Sequence, residues 1–266
     1  MLLAPVPRVL PKEVTNKIYI TTEHGSTTVP FVVSIPDLRI EGLKNEFAQP
    51  GDTTTVSGDN FDLYGITVEE AVVNIGDIPV NVIGATRTEL TIQIPANAPA
   101  NSRVSIKGSN MELPIELSYM DSGISQLFDF NNWPGEGAFT HSSQFPDAPV
   151  NFLCDGTLSG QPEPLTKGGK YIRFNNSVKA WGWMVMWAGY IKVPAEVATN
   201  PASYDLRFEI CTGVKYPISS ISRIILGDYG WYPAKDGLPV NTYGRWQTIR
   251  ISADTEGMLP NPIDPT

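Results

Sequence analysis

Histidine and cysteine are scarce in this chain of 266 residues, two of each, and that scarcity removes several chemistries at once. Cys154 and Cys211 are too few and too far apart for a zinc pattern or a Cys-x-x-Cys redox pair. They either form one disulfide or stand as two buried thiols. His24 and His141 each lie alone in a turn-like stretch, so neither a histidine metal site nor a His-based catalytic triad is expected. No Gly-x-Ser-x-Gly, His-Glu-x-x-His or phosphate-cradling glycine loop occurs, and the acidic loops show no oxygen-ligand spacing for calcium. The expectation is no metal and no cofactor. Basic charge is also short: 19 Lys and Arg stand against 28 Asp and Glu, a net charge of −9. Such a surface repels nucleic acid, which needs a basic stripe to neutralise phosphates, and it disfavours docking on anionic lipid. A neutral partner is not penalised.

Long hydrophobic runs are missing as well. None approaches the roughly 20 residues of a membrane helix, so no transmembrane segment is expected. Met1-Leu2-Leu3-Ala4-Pro5 has neither a basic n-region nor an apolar core fit for a signal peptide. Long helical periodicity is absent, whereas Gly and Pro number 23 each, which favours short strands joined by frequent turns. With 41% hydrophobic residues the chain can bury real cores.

Short alternating runs separated by turn signals fill the first half. Residues 18–22 read as a strand, Glu23-His24-Gly25-Ser26 as a turn and Phe31-Val32-Val33-Ser34-Ile35 as the returning strand. After Pro36 a new unit begins: strands are expected at Thr53–Ser57, Ala71–Ile75, Ile78–Val82, Glu89–Pro95 and Arg103–Ile106. Gly58-Asp59-Asn60-Phe61 is expected to turn tightly and deliver one aromatic ring inward. The segments Pro50-Gly51-Asp52, Val56-Ser57-Gly58-Asp59-Asn60-Phe61 and Leu90-Thr91-Ile92-Gln93-Ile94-Pro95 followed by Arg103-Val104-Ser105-Ile106 resemble an IPT/TIG immunoglobulin-like domain. The resemblance covers residues 37–118 and implies a spacer or interaction module. Residues 1–36 read as the tail of a preceding immunoglobulin-like domain or a linker.

Tryptophan is absent from residues 1–118, and all six tryptophans fall within residues 119–266. Four of them sit in Trp181-Gly182-Trp183-Met184-Val185-Met186-Trp187 and Asp228-Tyr229-Gly230-Trp231-Tyr232. On a strand, Trp181, Trp183 and Trp187 share one face and Met184, Met186 and Tyr190 the other. If the sheet packs on one face only, one of these sets is a row of exposed flat rings, suited to the C–H-rich faces of a sugar polymer; if both faces are covered, the rings are core. Strands are also expected at Leu127–Phe130, Tyr171–Phe174, 181–193, Tyr204–Ile210, Ser222–Leu226 and Arg245–Ile251, a set that fits a jelly-roll-type β-sandwich. The fold class is therefore all-β, an immunoglobulin-like sandwich followed by a jelly-roll-type one.

Phe128-Asp129-Phe130, Gly169-Lys170-Tyr171-Ile172-Arg173-Phe174, Trp181-Gly182-Trp183, Tyr204-Asp205-Leu206-Arg207-Phe208-Glu209, Trp231-Tyr232-Pro233 and Gly244-Arg245-Trp246-Gln247-Thr248-Ile249 resemble the C-terminal glycan-binding domain of the surface glycan-binding proteins of Bacteroidetes polysaccharide-utilisation loci. The resemblance implies non-catalytic binding of a β-glucan or xyloglucan, on a lipoprotein at the outer face of the outer membrane that serves a SusC/SusD-type transporter. It also implies that the chain is a fragment, since it carries no lipid-anchor cysteine and ends soon after the Trp246 strand. By that likeness the glycan-binding residues are Trp181, Trp183 and Trp231, with Tyr229 and Tyr232 beside the last; Trp187 is added from the strand pattern. Trp246, inside an alternating strand, reads as core, and Trp133 as an edge ring in its turn. Asp228, Lys235, Asp236, Asn175 and Asn176 are the polar residues nearest these segments. Glu209 and Asp228 form the one carboxylate pairing worth naming for a glycoside hydrolase, but their spacing in sequence does not place them across a bond. The other reading is a structural adhesin or protein-docking module of stacked sandwiches.

Overall fold

A computed structural model describes residues 8, 15–127, 130–132, 139–141, 153–166, 168–173, 185–187, 193–218, 224–226, 229–232 and 240–259. The chain divides into two compact units, Met1–Asp121 and Ser122–Thr266.

In the first unit, β1 (Lys17–Thr22) and β2 (Gly25–Pro30) form a hairpin with Thr22 opposite Gly25. The returning strand is thus Gly25–Pro30 and not Phe31–Ile35. The cause is a tighter connection than the sequence pattern suggests. Thr22 Oγ1 accepts from the His24 amide at 3.3 Å and donates to the Gly25 carbonyl at 3.2 Å. Gly25 at φ 147° occupies backbone space that side chains avoid, so pairing resumes at once. Nearly every residue of the hairpin is exposed. Both ends of the stretch that carries it converge on Asn60: Arg8 Nη2 donates to Asn60 Oδ1 at 2.9 Å, and Asn60 Nδ2 donates to the Asp37 carbonyl at 2.9 Å. Arg8 also grips both oxygens of Asp62 at 3.0 Å and holds that carboxyl below the usual carboxylate range.

Eight further strands make a sandwich of two antiparallel four-stranded sheets: β3 (Arg39–Leu43), β4 (Thr53–Asp59), β5 (Val72–Ile75), β6 (Ile78–Pro79), β7 (Asn81–Ala85), β8 (Glu89–Gln93), β9 (Ser102–Lys107) and β10 (Ile115–Tyr119). One sheet runs β3-β4-β8-β7 and the other β10-β9-β5-β6. Burial alternates along β4 and β8, as a strand with one packed face requires. Val56, Leu90 and Ile92 from one sheet meet Val73, Ile75, Val104 and Ile106 from the other in a single core. Phe61 is fully buried in it, delivered by the short 3-10 turn Phe61–Tyr64. The one strand expected at Ile78–Val82 is two strands in two sheets. Pro79 has no N–H to continue a ladder, Val80 turns inward and donates to the Val73 carbonyl at 2.9 Å, and the chain crosses over. Tyr119, fully buried, ties the last strand back through a 2.8 Å bond from its hydroxyl to the Ala48 carbonyl.

The second unit is all-β apart from the short helix α1 (Ala195–Thr199) and 3-10 turns at Phe130–Asn132 and Pro201–Ser203, among the described residues. Phe130 therefore lies in a turn and not in the strand expected there. Four antiparallel pairs are seen: β11 (Phe139–His141) with β14 (Val185–Trp187), β12 (Leu153–Cys154) with β13 (Tyr171–Ile172), β15 (Asp205–Ile210) with β18 (Gln247–Ser252), and β16 (Ile224–Leu226) with β17 (Tyr229–Trp231). In the β15–β18 ladder Leu206 faces Ile251 and Phe208 faces Ile249, so one face of this pair is apolar. Asp205, Arg207 and Glu209 alternate onto the other.

Candidate functional site

The site begins at β17. Trp231, opposite Ile224 in the hairpin, is half-buried and meets the Phe208 ring edge-on at a centroid distance of 5.3 Å and 82°. Such an edge-to-face contact pins the indole against the apolar face of β15. The next residue, Tyr232, is 42% exposed. A Cβ on Gly230 would lie only 3.0 Å from Tyr232 Cε2 and 3.6 Å from its Cζ and hydroxyl oxygen, so the phenol ring lies back over the glycine. The Tyr-Gly-Trp-Tyr segment thus sets one aromatic ring into the sandwich and an adjacent one against bare backbone at the surface. That arrangement offers an apolar ring face with a polar tip at the surface.

Tyr229 occupies the start of β17 opposite Leu226, and Trp187 ends β14 opposite Phe139; their backbones are placed in strands as expected. Trp181 and Trp183 lie outside the described residues, as do Trp133, Asn175, Asn176, Asp228, Lys235 and Asp236. Trp246 differs from its expected place. It precedes β18 and is half-buried. Its indole N–H donates to the Glu163 carbonyl at 2.8 Å and its ring meets Tyr171 edge-on at 5.3 Å. Trp246 is a brace between loop and strand, since β18 begins at Gln247, two residues later than the alternation from Arg245 implies.

Sequence patterns passed over a second pair of rings. Tyr216 and Tyr243 are 80% and 68% exposed, on turns that follow β15 and precede β18. Each stands alone among Gly, Pro and Lys or Arg, so no aromatic cluster marks it. The signal available was Thr242-Tyr243-Gly244, a turn that puts an aromatic where Asn or Gly is usual.

Cys154 and Cys211 are not joined in a disulfide, the first buried and the second half-buried, and burial raises both thiol pKa values, leaving them protonated at neutral pH. Asp155 is lowered by bonds from the Thr157 hydroxyl and amide. It rims an open hollow of about 310 Å³ with Leu158, Gln161 and Lys170. Among the described residues no group of three or more His, Cys, Asp or Glu side chains could hold a metal. No described helix is long and apolar enough to cross a membrane.

Comparison with known proteins agrees with this layout. Residues 39–127 match the IPT/TIG domain family and residues 119–256 match the surface glycan-binding protein B xyloglucan binding domain. The solved surface glycan-binding protein PbSGBP-B from Prevotella bryantii is similar over 91% of this chain and 69% of its own, at 19% identity and a TM-score of 0.51. SGBP-B from a complex xyloglucan utilization locus in Bacteroides uniformis is similar over 92% of this chain and 68% of its own, at 18% identity and a TM-score of 0.46. Among curated proteins nothing matches. The first likeness shows a shared all-β fold, and the family profile extends over more than half of the 266 residues, taking in both β17 and the braced Trp246: the chain belongs to the surface glycan-binding protein B family, an IPT/TIG domain followed by that family's glycan-binding domain.

Proposed function

We propose that this protein captures a β-glucan, of which xyloglucan is the first choice, at the cell surface without cleaving it. The rings of Tyr232 and Trp231 form one part of the aromatic platform, and Trp181, Trp183, Tyr229 and Trp187 are proposed to extend it. Residues 37–118 act as a spacer that holds the glycan-binding unit, residues 119–266, away from the membrane. Residues 1–36 are assigned to a preceding domain or linker. The full-length protein is lipid-anchored on the outer face of the outer membrane and presents its glycan to a SusC/SusD-type transporter.

The observation that carries this reading is the match of residues 119–256 to a xyloglucan binding domain. The chemistry of the site supports it. Each stacked ring contributes about 1–2 kcal/mol at roughly 25 cal/mol per Å² of covered apolar surface, and a few rings give micromolar-to-millimolar affinity. A neutral glycan suits a chain of net charge −9. Glu209 sits within the β15–β18 ladder opposite Thr248.

The test is affinity gel electrophoresis against xyloglucan, mixed-linkage β-glucan, laminarin and a mannan, with Trp181→Ala/Trp183→Ala and Tyr232→Ala run beside the wild type. Retardation in a β-glucan gel that the folded variants lose is the expected result. A folded chain that migrates unretarded in every gel overturns the proposal.

A further inference from the structure

Beyond β15 the chain makes a turn, Gly213–Tyr216, closed by the Tyr216 amide donating to the Gly213 carbonyl at 2.9 Å. Before β18 it makes another, Thr242–Arg245, closed at 3.0 Å from the Arg245 amide to the Thr242 carbonyl. The two turns are stapled together. Thr212 and Thr242 are 5% and 1% exposed, and each amide donates to the other's hydroxyl oxygen at 2.8 Å. The Gly244 amide donates to the Thr212 carbonyl at 3.0 Å, Asn241 Nδ2 to the Val214 carbonyl at 3.4 Å, and Ile218 and Val240 exchange both backbone bonds at 2.9 and 3.0 Å. A loop pair with this many cross-bonds is rigid before any ligand arrives.

Large rings stand on this rigid base. Tyr216 is 80% exposed and Tyr243 68%. Tyr243 and Gly244 have φ of 52° and 78°, the paired left-handed settings of a type I′ turn, where Asn or Gly sits without strain and a tyrosine does not. The Asn241 side chain accepts from the Tyr243 amide at 2.9 Å and holds it there. Residues kept in unfavourable backbone regions by their surroundings cluster at ligand sites. Tyr216 repeats the device seen at Tyr232: a Cβ on Gly213 would meet Tyr216 Cδ2 at 3.4 Å, so its ring also lies against a glycine. Tyrosine is the residue that offers broad contact area with little rotamer entropy to lose. Lys215 and Arg245, both exposed, flank the rings with hydrogen-bond donors.

We propose that Tyr216 and Tyr243 on this stapled double turn form a second sugar-stacking surface, for a neutral β-linked glucan chain. This rests on the glycan-binding reading above and names residues that reading does not contain. The turn is continuous with the strand that braces Trp231: from Phe208 to Thr212 is four residues, on the order of 13 Å of extended chain. One long glycan therefore has two aromatic surfaces set by a single strand.

The experiment is calorimetric titration of the intact chain with polymeric xyloglucan and with mixed-linkage β-glucan, comparing the wild type with Tyr216→Ala, Tyr243→Asn and the double variant. Asparagine suits the left-handed turn, so Tyr243→Asn keeps or raises Tm while removing the ring. Each single variant is expected to weaken polymer binding roughly five- to tenfold, and Tyr216→Phe to bind as the wild type does. If the wild type binds polymer and the folded double variant binds with the same Kd, this surface is refuted while the glycan-binding reading stands. If the wild type binds neither polymer, both fall together.

Discussion

Replacing Gly230 with alanine is expected to loosen glycan binding roughly two- to fivefold and to leave the fold untouched. Gly230 carries no left-handed φ and lies mid-strand opposite Ile225, so an alanine there costs the backbone nothing and suits a strand at least as well. Its new Cβ would stand 3.0 Å from Tyr232 Cε2. Carbon atoms settle at about 3.5–4.0 Å, so the ring must lift by roughly 0.5–1 Å, and a gap of that size forfeits a quarter to a half of a dispersion contact. A stacked ring contributes about 1–2 kcal/mol, and the loss is therefore about 0.3–1 kcal/mol. Valine, which adds two methyls beside the same ring, weakens binding further. The assay is calorimetric titration with a xyloglucan oligosaccharide, with thermal unfolding run on the same samples. An alanine variant with wild-type Kd and wild-type Tm refutes the placement of Tyr232 against the sugar. A collapse of Tm refutes the claim that the glycine serves the ring and not the strand.

Other substitutions separate structure from binding. Trp246→Phe removes the N–H donated to Glu163 but keeps a ring beside Tyr171, and should cost about 1–2 kcal/mol of stability in chemical denaturation without altering Kd for glycan. Gly58→Ala places a Cβ 2.5 Å from Phe61 Cε1 and against the Arg39 carbonyl. It should destabilise the first unit by about 3 kcal/mol or more, while glycan affinity of the second unit persists at temperatures where the first has melted. Tyr119→Phe leaves the Ala48 carbonyl without its partner and should cost about 1–2 kcal/mol. Burial pushes the Tyr119 hydroxyl from 10.0 up to about 12. A raised folded pKa means its contribution is whole below pH 10 and is lost as pH climbs from 10 toward 12, so alkaline denaturation of Tyr119→Phe should be flatter across that window than the wild type's.

How far the sequence speaks depends on which physical constraint dominates each segment. Thr53–Ser57 is legible as a half-buried strand, but the strand runs on to Asp59, with Gly58 and Asp59 paired to Ile40 and Arg39; the turn expected from Gly58 comes only at Phe61–Tyr64, and Phe61 is driven inward as expected. The hairpin's returning strand is misplaced by pattern alone, since Phe31–Ile35 is the more apolar run; the Thr22 side-chain bonds that tighten the turn leave no trace in hydropathy. Ile78–Val82 reads as one strand because alternation is blind to the missing N–H of Pro79. At the site, Trp231 is legible as part of an aromatic cluster, but its Phe208 contact joins segments more than 20 residues apart and needs the fold. Tyr216 and Tyr243 escape notice because single tyrosines in turns carry no pattern, and the threonine staple that makes them rigid is a tertiary contact 30 residues apart in sequence. The IPT/TIG and glycan-binding likenesses, carried by short motifs in order, convey more about function than composition does.

The central claim is that this chain binds a β-glucan through exposed aromatic rings, and a titration of the intact protein with a xyloglucan oligosaccharide tests it most directly. Micromolar-to-millimolar binding that Tyr232→Ala weakens about fivefold or more, with Tm unchanged, is the predicted result. No heat of binding from the folded wild type, or equal affinity in the folded Tyr232→Ala variant, would contradict it.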